Sequence, residues 1–466
     1  MKENRRLIRN TGLIAIGNIS TKLVSFFLLP LYTSILSTAQ YGTVDYIISI
    51  STFCVPFVTG LMDESMFRFL IDADDQDSRT NIISVAIVIS AVGAVIVSVI
   101  CFGIFALTHN PLILAFLCYV LSAVISTLFS ALLRGIGRTD WFVLYNFVTG
   151  IITVALNVLF IAVMHWGVYG MLYSFVMAQL LVSIYTAFKI KIWTEFSLRL
   201  ISYSRVREML KYSLPMIPNS ISWSIVNLSD RLVIMNVLGA SASGLYAVAY
   251  KFPTLMDTVY GFFYQSWKES SARALKAGNE ESFFQSVYVY LINSLFSILI
   301  LMISFMPLVF HFMVNSSYHS ALVYVPILLT ATFCSDLSGF FGGIFTAHKN
   351  TWILGTTTVW SAIINLALNV LLIKRLGIYA AAFATLLSSY FIYQYRREKV
   401  KKMVSLHYPF NKMVVNALIF GAVLVLFYTG TGVSIGIGCI ISLLYSVLLN
   451  ASILKVIFKR LLRKQI

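Results

Sequence analysis

Along this chain, apolar runs of about twenty residues follow one another from end to end, and short segments between them gather most of the charge. An α-helix rising ~1.5 Å per residue needs roughly 20 such residues to cross ~30 Å of hydrocarbon. Fourteen spans can be drawn: 11–36, 41–62, 81–107, 111–133, 141–164, 168–190, 213–238, 243–266, 283–311, 319–345, 351–373, 378–395, 412–429 and 433–455. With 59% hydrophobic and 11% charged residues, a water-soluble particle would lack the polar surface to stay in solution. The pattern predicts an all-α polytopic membrane protein.

The positions of the charges fix an expected orientation, because Lys and Arg are retained on the cytoplasmic side. With the N-terminus inside, 29 of the 34 basic residues fall in cytoplasmic segments or, for Lys189, Lys412 and Lys455, at the cytoplasmic end of a span, and only Lys374 and Arg375 fall outside. The other three, Lys22, Arg231 and Lys251, lie within spans. Both termini are therefore expected in the cytoplasm, and the net charge of +16 belongs to membrane topology; no nucleic-acid partner is expected. The external connections (THNP, HWG, GASAS, TGTG) leave no room for a catalytic or receptor domain. The two longest connections, 191–212 and 396–411, are basic and read as surface amphipathic helices or as solvated linkers.

These connections divide the chain into a six-helix bundle (1–190), a second six-helix bundle (213–395) and two further spans (412–466), and the first two blocks repeat. GRTDWFVLYN with VALNVLFIAVMHWGVYGMLYS is answered by AHKNTWILGT with LALNVLLIKRLGIYAAAFA. Trp141 pairs with Trp352, Asn157 with Asn369 and Tyr169 with Tyr379, at offsets of 211, 212 and 210. A weaker match at offset 202 sets Leu36 and Gly42 against Leu238 and Gly244. Six is even, so the copies are expected to run in parallel about an axis along the membrane normal, an arrangement suited to alternating access around a midplane cavity.

Ionisable groups inside spans are costly and mark function by default. Lys22 sits near the middle of the first span, and Asp45 in the second is its candidate acidic partner or a gating residue. The seventh span carries Asp230 and Arg231, which as neighbours ~100° apart cannot share one face. Lys251 and Asp257 share the eighth span, and Asp336 lies near the middle of the tenth. Lys22, Arg231 and Lys251 are candidate anion ligands, Arg231 being able to hold phosphate in bidentate fashion. Asp45, Asp230, Asp257 and Asp336 are candidates for proton or sodium coupling, or for gating. The five cysteines and six histidines show no metal-ligand spacing, and no Walker loop is present, so neither a metal centre nor an ATP-driven or other enzymatic activity is expected.

The segment YSLPMIPNSISWSIVNLSDRLVIMNVLGASASGLYAVAYKFP (212–253), with FLLPLYTSILSTAQYGTVDY (27–46), resembles the polysaccharide flippases of the multidrug, oligosaccharidyl-lipid and polysaccharide exporter superfamily. The resemblance runs over nearly the whole chain, and its LP, IPN, SDR, LG, GLY series is typical of the polysaccharide branch. It implies a Wzx-type transporter that moves a polyprenyl-diphosphate-linked oligosaccharide from the inner to the outer leaflet of a bacterial cytoplasmic membrane. Implied partners are membrane lipids and the glycosyltransferases and polymerase of the same pathway. Lys22 and Asp45 also stand where lipid II flippases carry a basic and an acidic residue, although the fuller basic set is missing. A lipid II flippase is the second reading, and a cation-coupled multidrug exporter of the same superfamily the third.

Overall fold

The computed structural model describes residues 26–451 apart from 279, 349 and 351, together with Lys455; at 218, 219, 221–223, 226, 227, 269, 276 and 277 only the backbone is described. Every regular element among them is helical. Ten helices are long and apolar enough to cross a membrane. Three more, Ile217–Val237, Ala240–Ala277 and Ile378–Val400, have the length but more polar sequences: charged residues such as Arg231 and Lys251 in the first two, and tyrosines, serines and a glutamine in the third. These thirteen fall on the second to fourteenth expected spans, and most of the first expected span, 11–36, lies outside the described residues. The chain is a multi-pass, all-helical membrane protein.

It forms two compact units, 1–244 and 245–466. In the first, α1 (Leu29–Ile35) leads into α2 (Thr38–Thr59) through a capping box: the Ser37 hydroxyl accepts the Gln40 amide, and the Gln40 side chain accepts the Ser37 amide. Helix α2 stops at Gly60, whose φ of 58° is the left-handed conformation glycine tolerates. Helix α3 (Met62–Ile71) then carries Asp63 and Glu64 in its first turn and Arg68 in its last, each complementing the helix dipole. Helices α4 (Gln76–Thr108), α5 (Leu112–Gly135), α6 (Thr139–Asn157, extended by a π turn over Val158–Val163) and α7 (Gly167–Ile190) follow. The first basic connection contains a helix, α8 (Tyr203–Ser213), started by the Ser202 cap. Met209 buries it among Met62, Met66, Ile82 and Leu132, and its carbonyl accepts the Ser65 hydroxyl, so α8 is packed onto α3 to α5.

Helix α9 (Ile217–Val237) packs on α2 and belongs to the first unit. Helix α10 (Ala240–Ala277) begins in the first unit with a glycine crossing. A Cβ on Gly42 would collide with the Ala240 carbonyl oxygen, and one on Gly244 with the Thr38 carbonyl oxygen. At offset 202 these are matched positions, so the two repeat-equivalent glycines meet in a reciprocal contact of backbone on backbone.

The second unit holds the rest of α10 with α11 (Glu280–Met313), α12 (Val325–Ala347), α13 (Trp352–Leu376), α14 (Ile378–Val400), α15 (Phe410–Thr429) and α16 (Gly432–Leu449). Trp267 of α10 stacks on Phe340 at 4.5 Å and donates its indole N–H to the Phe340 carbonyl, filling the space that Gly343 leaves. The two additional helices are bound to α11 by a polar seam that includes Ser304–Ser442 (2.6 Å) and Asn450–Ser297 (2.8 Å). The matched tryptophans and tyrosines open equivalent hairpins: Trp141 starts α6 and Tyr169 α7, as Trp352 starts α13 and Tyr379 α14. Pro30, Pro218 and Pro326 stand in the first turns of α1, α9 and α12, where no amide donor is needed, whereas Pro56, Pro253 and Pro307 are internal to α2, α10 and α11.

The topology is open to direct measurement. Reporter fusions after residues 164 and 239 are expected to read external, and fusions after 200 and 466 cytoplasmic, following the basic-residue asymmetry. An external reading after 466 would break the even count.

Candidate functional site

Two groups of intramembrane polar residues emerge, one in each unit. In the first, α9 presents Arg231 to α2, and its Nε donates to Asp45 Oδ2 at 2.7 Å, both side chains being 15% exposed. Helix geometry explains the division of labour along α9: Arg231 turns to α2 while Asp230, one position earlier, is 3% exposed. Asp45 thus has Arg231 as its partner across 186 residues of sequence. Lys22, to which sequence reading also offers Asp45, lies outside the described residues. A guanidinium set against a carboxylate in a partly dry setting presents the planar, cationic donor set that also suits a phosphate oxygen.

The second group forms around α10. Asp257, Tyr260, Tyr264 and Trp267 recur at helical spacing, one stripe facing α12. Glycines on α12 make room for it: a Cβ on Gly339 would come 2.5 Å from the Tyr260 hydroxyl, and one on Gly342 would come 3.6 Å from that of Tyr264. Asp336, on the same helix, is 2% exposed, and its Oδ2 has no hydrogen-bond partner among the described residues; the same holds for the Tyr260 hydroxyl. Asp257, itself exposed, is near enough to act electrostatically on Asp336, and Tyr260 feels both carboxylates. Lys251 lies half-buried six residues before Asp257, off this stripe.

Behind Tyr260 and Tyr264 sits a cation that sequence reading placed in the cytoplasmic connection. Arg396 is 4% exposed because α14 runs on to Val400, past the expected end at 395. Its guanidinium donates to Thr357 Oγ1 (3.0 Å), Thr358 Oγ1 (3.2 Å), Ser338 Oγ (3.1 Å) and the carbonyls of Ser338 and Leu354 (both 3.3 Å). All are neutral acceptors, so Arg396 ties α12, α13 and α14 together with every N–H occupied and none left for a ligand. The signal for its burial was present in the spacing: Ala380, Ala384, Ser388, Ile392, Arg396 and Val400 recur every four residues, and all are buried. Among the described residues no cluster of His, Cys, Asp and Glu forms a metal site.

Comparison with solved structures shows where this fold occurs. A multidrug resistance MATE family transporter of the MOP superfamily, in an inward-facing conformation, matches with a TM-score of 0.70 and 13% identity, over 84% of this chain and 98% of that one. The lipid II flippase MurJ, in an inward closed conformation, matches with a TM-score of 0.67 and 14% identity, over 96% of this chain and 100% of that one. A MOP superfamily transporter from Pyrococcus furiosus, described as having a binding pocket of reversed polarity, matches with a TM-score of 0.56 and 14% identity, over 84% and 95%. At these identities the likeness is one of fold. No curated protein sequence matches the chain. The sequence model of the polysaccharide biosynthesis protein family matches residues 7–267, more than half of the chain, and the chain belongs to that family.

Proposed function

We propose that this protein is an alternating-access flippase that carries a polyprenyl-diphosphate-linked oligosaccharide from the inner to the outer leaflet of a bacterial cytoplasmic membrane. The observation that carries the reading is the family match over residues 7–267, which spans the segment holding Asp45, Asp230, Arg231, Lys251 and Asp257. The physical task fits those residues. A diphosphate cannot enter hydrocarbon unaccompanied, so its carrier needs cations within the bilayer, while the prenyl tail stays in lipid at no cost. Lys22, Arg231 and Lys251 supply such cations; Arg231 is held ready by Asp45 and hands over its donors when phosphate arrives. Asp336, with Asp257 beside it, is the place for a coupling proton or sodium ion. The glycosyltransferases and polymerase of the same pathway would supply the substrate and consume the product, and both termini would lie in the cytoplasm.

The likeness to MurJ over 96% of the chain supports a lipid II flippase as the second reading. Complementation separates the two. In a strain deleted for its polysaccharide flippase, the wild-type chain is expected to restore surface polymer, Lys22→Ala to restore none at matched protein level, and Lys22→Arg to restore part of it. Rescue only of a strain depleted of its lipid II flippase would favour the second reading, and normal polymer from Lys22→Ala would remove Lys22 from the mechanism.

A further inference from the structure

The wall between α6 and α7 is hollow. A half-open cavity of about 490 Å³ lies there, lined almost wholly by apolar and aromatic side chains from Trp141 to Ile152 on α6 and from Leu181 to Thr186 on α7. Within its unit α6 packs on α5, α7 and its own π turn, and Leu144, Phe147 and Ile151 of α6 with Ile184 and Phe188 of α7 are exposed. On a membrane-spanning pair such an exposed apolar surface meets lipid chains. Eleven residues separate Trp141 from Ile152, so at ~1.5 Å per residue the groove is about 16 Å deep, close to half of a ~30 Å hydrocarbon layer. It therefore begins at an interface and ends near the midplane, the depth of one leaflet.

Its mouth is charged. Arg138 caps α6 one turn before Trp141, and Lys189 lies one turn after Tyr185 with its ammonium 5.7 Å from that ring; Lys191 follows, and Asp140 is the acid among them. Each wall thus has a cation one turn from an aromatic of the groove, and on α7 the cation lies over the ring, the combination that holds a lipid phosphate at the headgroup level. We propose that this groove is a binding site for an anionic glycerophospholipid of the leaflet on the basic side, with one acyl chain between α6 and α7 and the phosphate between Arg138 and Lys189. The depth favours a leaflet lipid, since a long polyprenyl chain would extend well past the groove.

The test uses the full chain in phosphatidylcholine vesicles and reads the quenching of Trp141, taken as the difference between wild type and Trp141→Phe. Phosphatidylglycerol brominated on its acyl chains is expected to occupy the groove, and so to quench Trp141, at about a thirtyfold lower mole fraction than brominated phosphatidylcholine, on the order expected for two basic residues at the surface. The preference is expected to vanish in the Arg138→Gln/Lys189→Gln double variant. Val148→Phe, which fills the groove and leaves the mouth intact, is expected to abolish Trp141 quenching by both lipids. Equal quenching by the two lipids, or a preference that survives the double variant, would show only the ordinary lipid annulus and overturn the proposal. Displacement of brominated phosphatidylglycerol by a polyprenyl phosphate more readily than by unbrominated phosphatidylglycerol would overturn the choice of ligand.

Discussion

Arg231→Gln and Asp45→Asn are each expected to reduce the amount of folded protein several-fold, and their combination to restore it. The pair is 2.7 Å apart with both side chains 15% exposed, so a single neutral replacement removes a close counter-charge in a poorly solvated place. Breaking such a pair costs about 3–5 kcal/mol, whereas removing both members is often neutral. Folding and transport are expected to part at this point. The double neutral variant should insert normally, as judged by monodisperse elution of a fluorescent fusion, yet restore no surface polymer if Arg231 is the phosphate ligand we propose. The exchanged pair, Asp45→Arg with Arg231→Asp, should recover folded protein. Full polymer from the double neutral variant would reduce Arg231 to a structural brace.

The second large effect is steric. Gly42→Val and Gly244→Val each place a side chain where α2 and α10 touch backbone to backbone, against the carbonyl oxygens of Ala240 and Thr38. Neither obstacle is the end of a flexible side chain, so relief requires the helices to separate. More than a tenfold loss of surface polymer is expected from either substitution, on the scale of overpacking costs of several kcal/mol. Gly103→Val in α4 provides the control, since a Cβ there meets nothing within 4 Å. Its protein level and polymer should match wild type. Tolerance at Gly42 equal to that at Gly103 would show that the crossing is loose.

The spans were legible in the sequence because membrane crossing imposes a length and an apolarity that few other constraints imitate. Even so, α9, α10 and α14 stood out less, since Arg231 and Lys251 interrupt the first two and tyrosines, serines and a glutamine dilute the third. The hairpin repeat was visible in Trp141 and Trp352, but no sequence pattern says that the matched glycines, Gly42 and Gly244, would touch. Of the candidate site, the identity of the charged residues could be read and their pairing could not. Asp45 and Arg231 meet across 186 residues, a fact that depends on how α9 lies against α2. Arg396 escaped notice because a run of charges at a helix end looks solvated; its four-residue spacing with Ile392 and Val400 carries the contrary information.

The central claim is that a diphosphate-linked glycan is the cargo. Its most direct test is the purified chain in liposomes, with a polyprenyl-diphosphate oligosaccharide in both leaflets and a membrane-impermeant reagent that modifies only externally exposed sugar. The account predicts that the protected inner half becomes reactive with the wild-type chain and stays protected with Lys22→Ala, while a lipophilic drug cation is not moved. A protected half that remains unreactive in the presence of folded wild-type protein, under proton and sodium gradients of either sign, would contradict it.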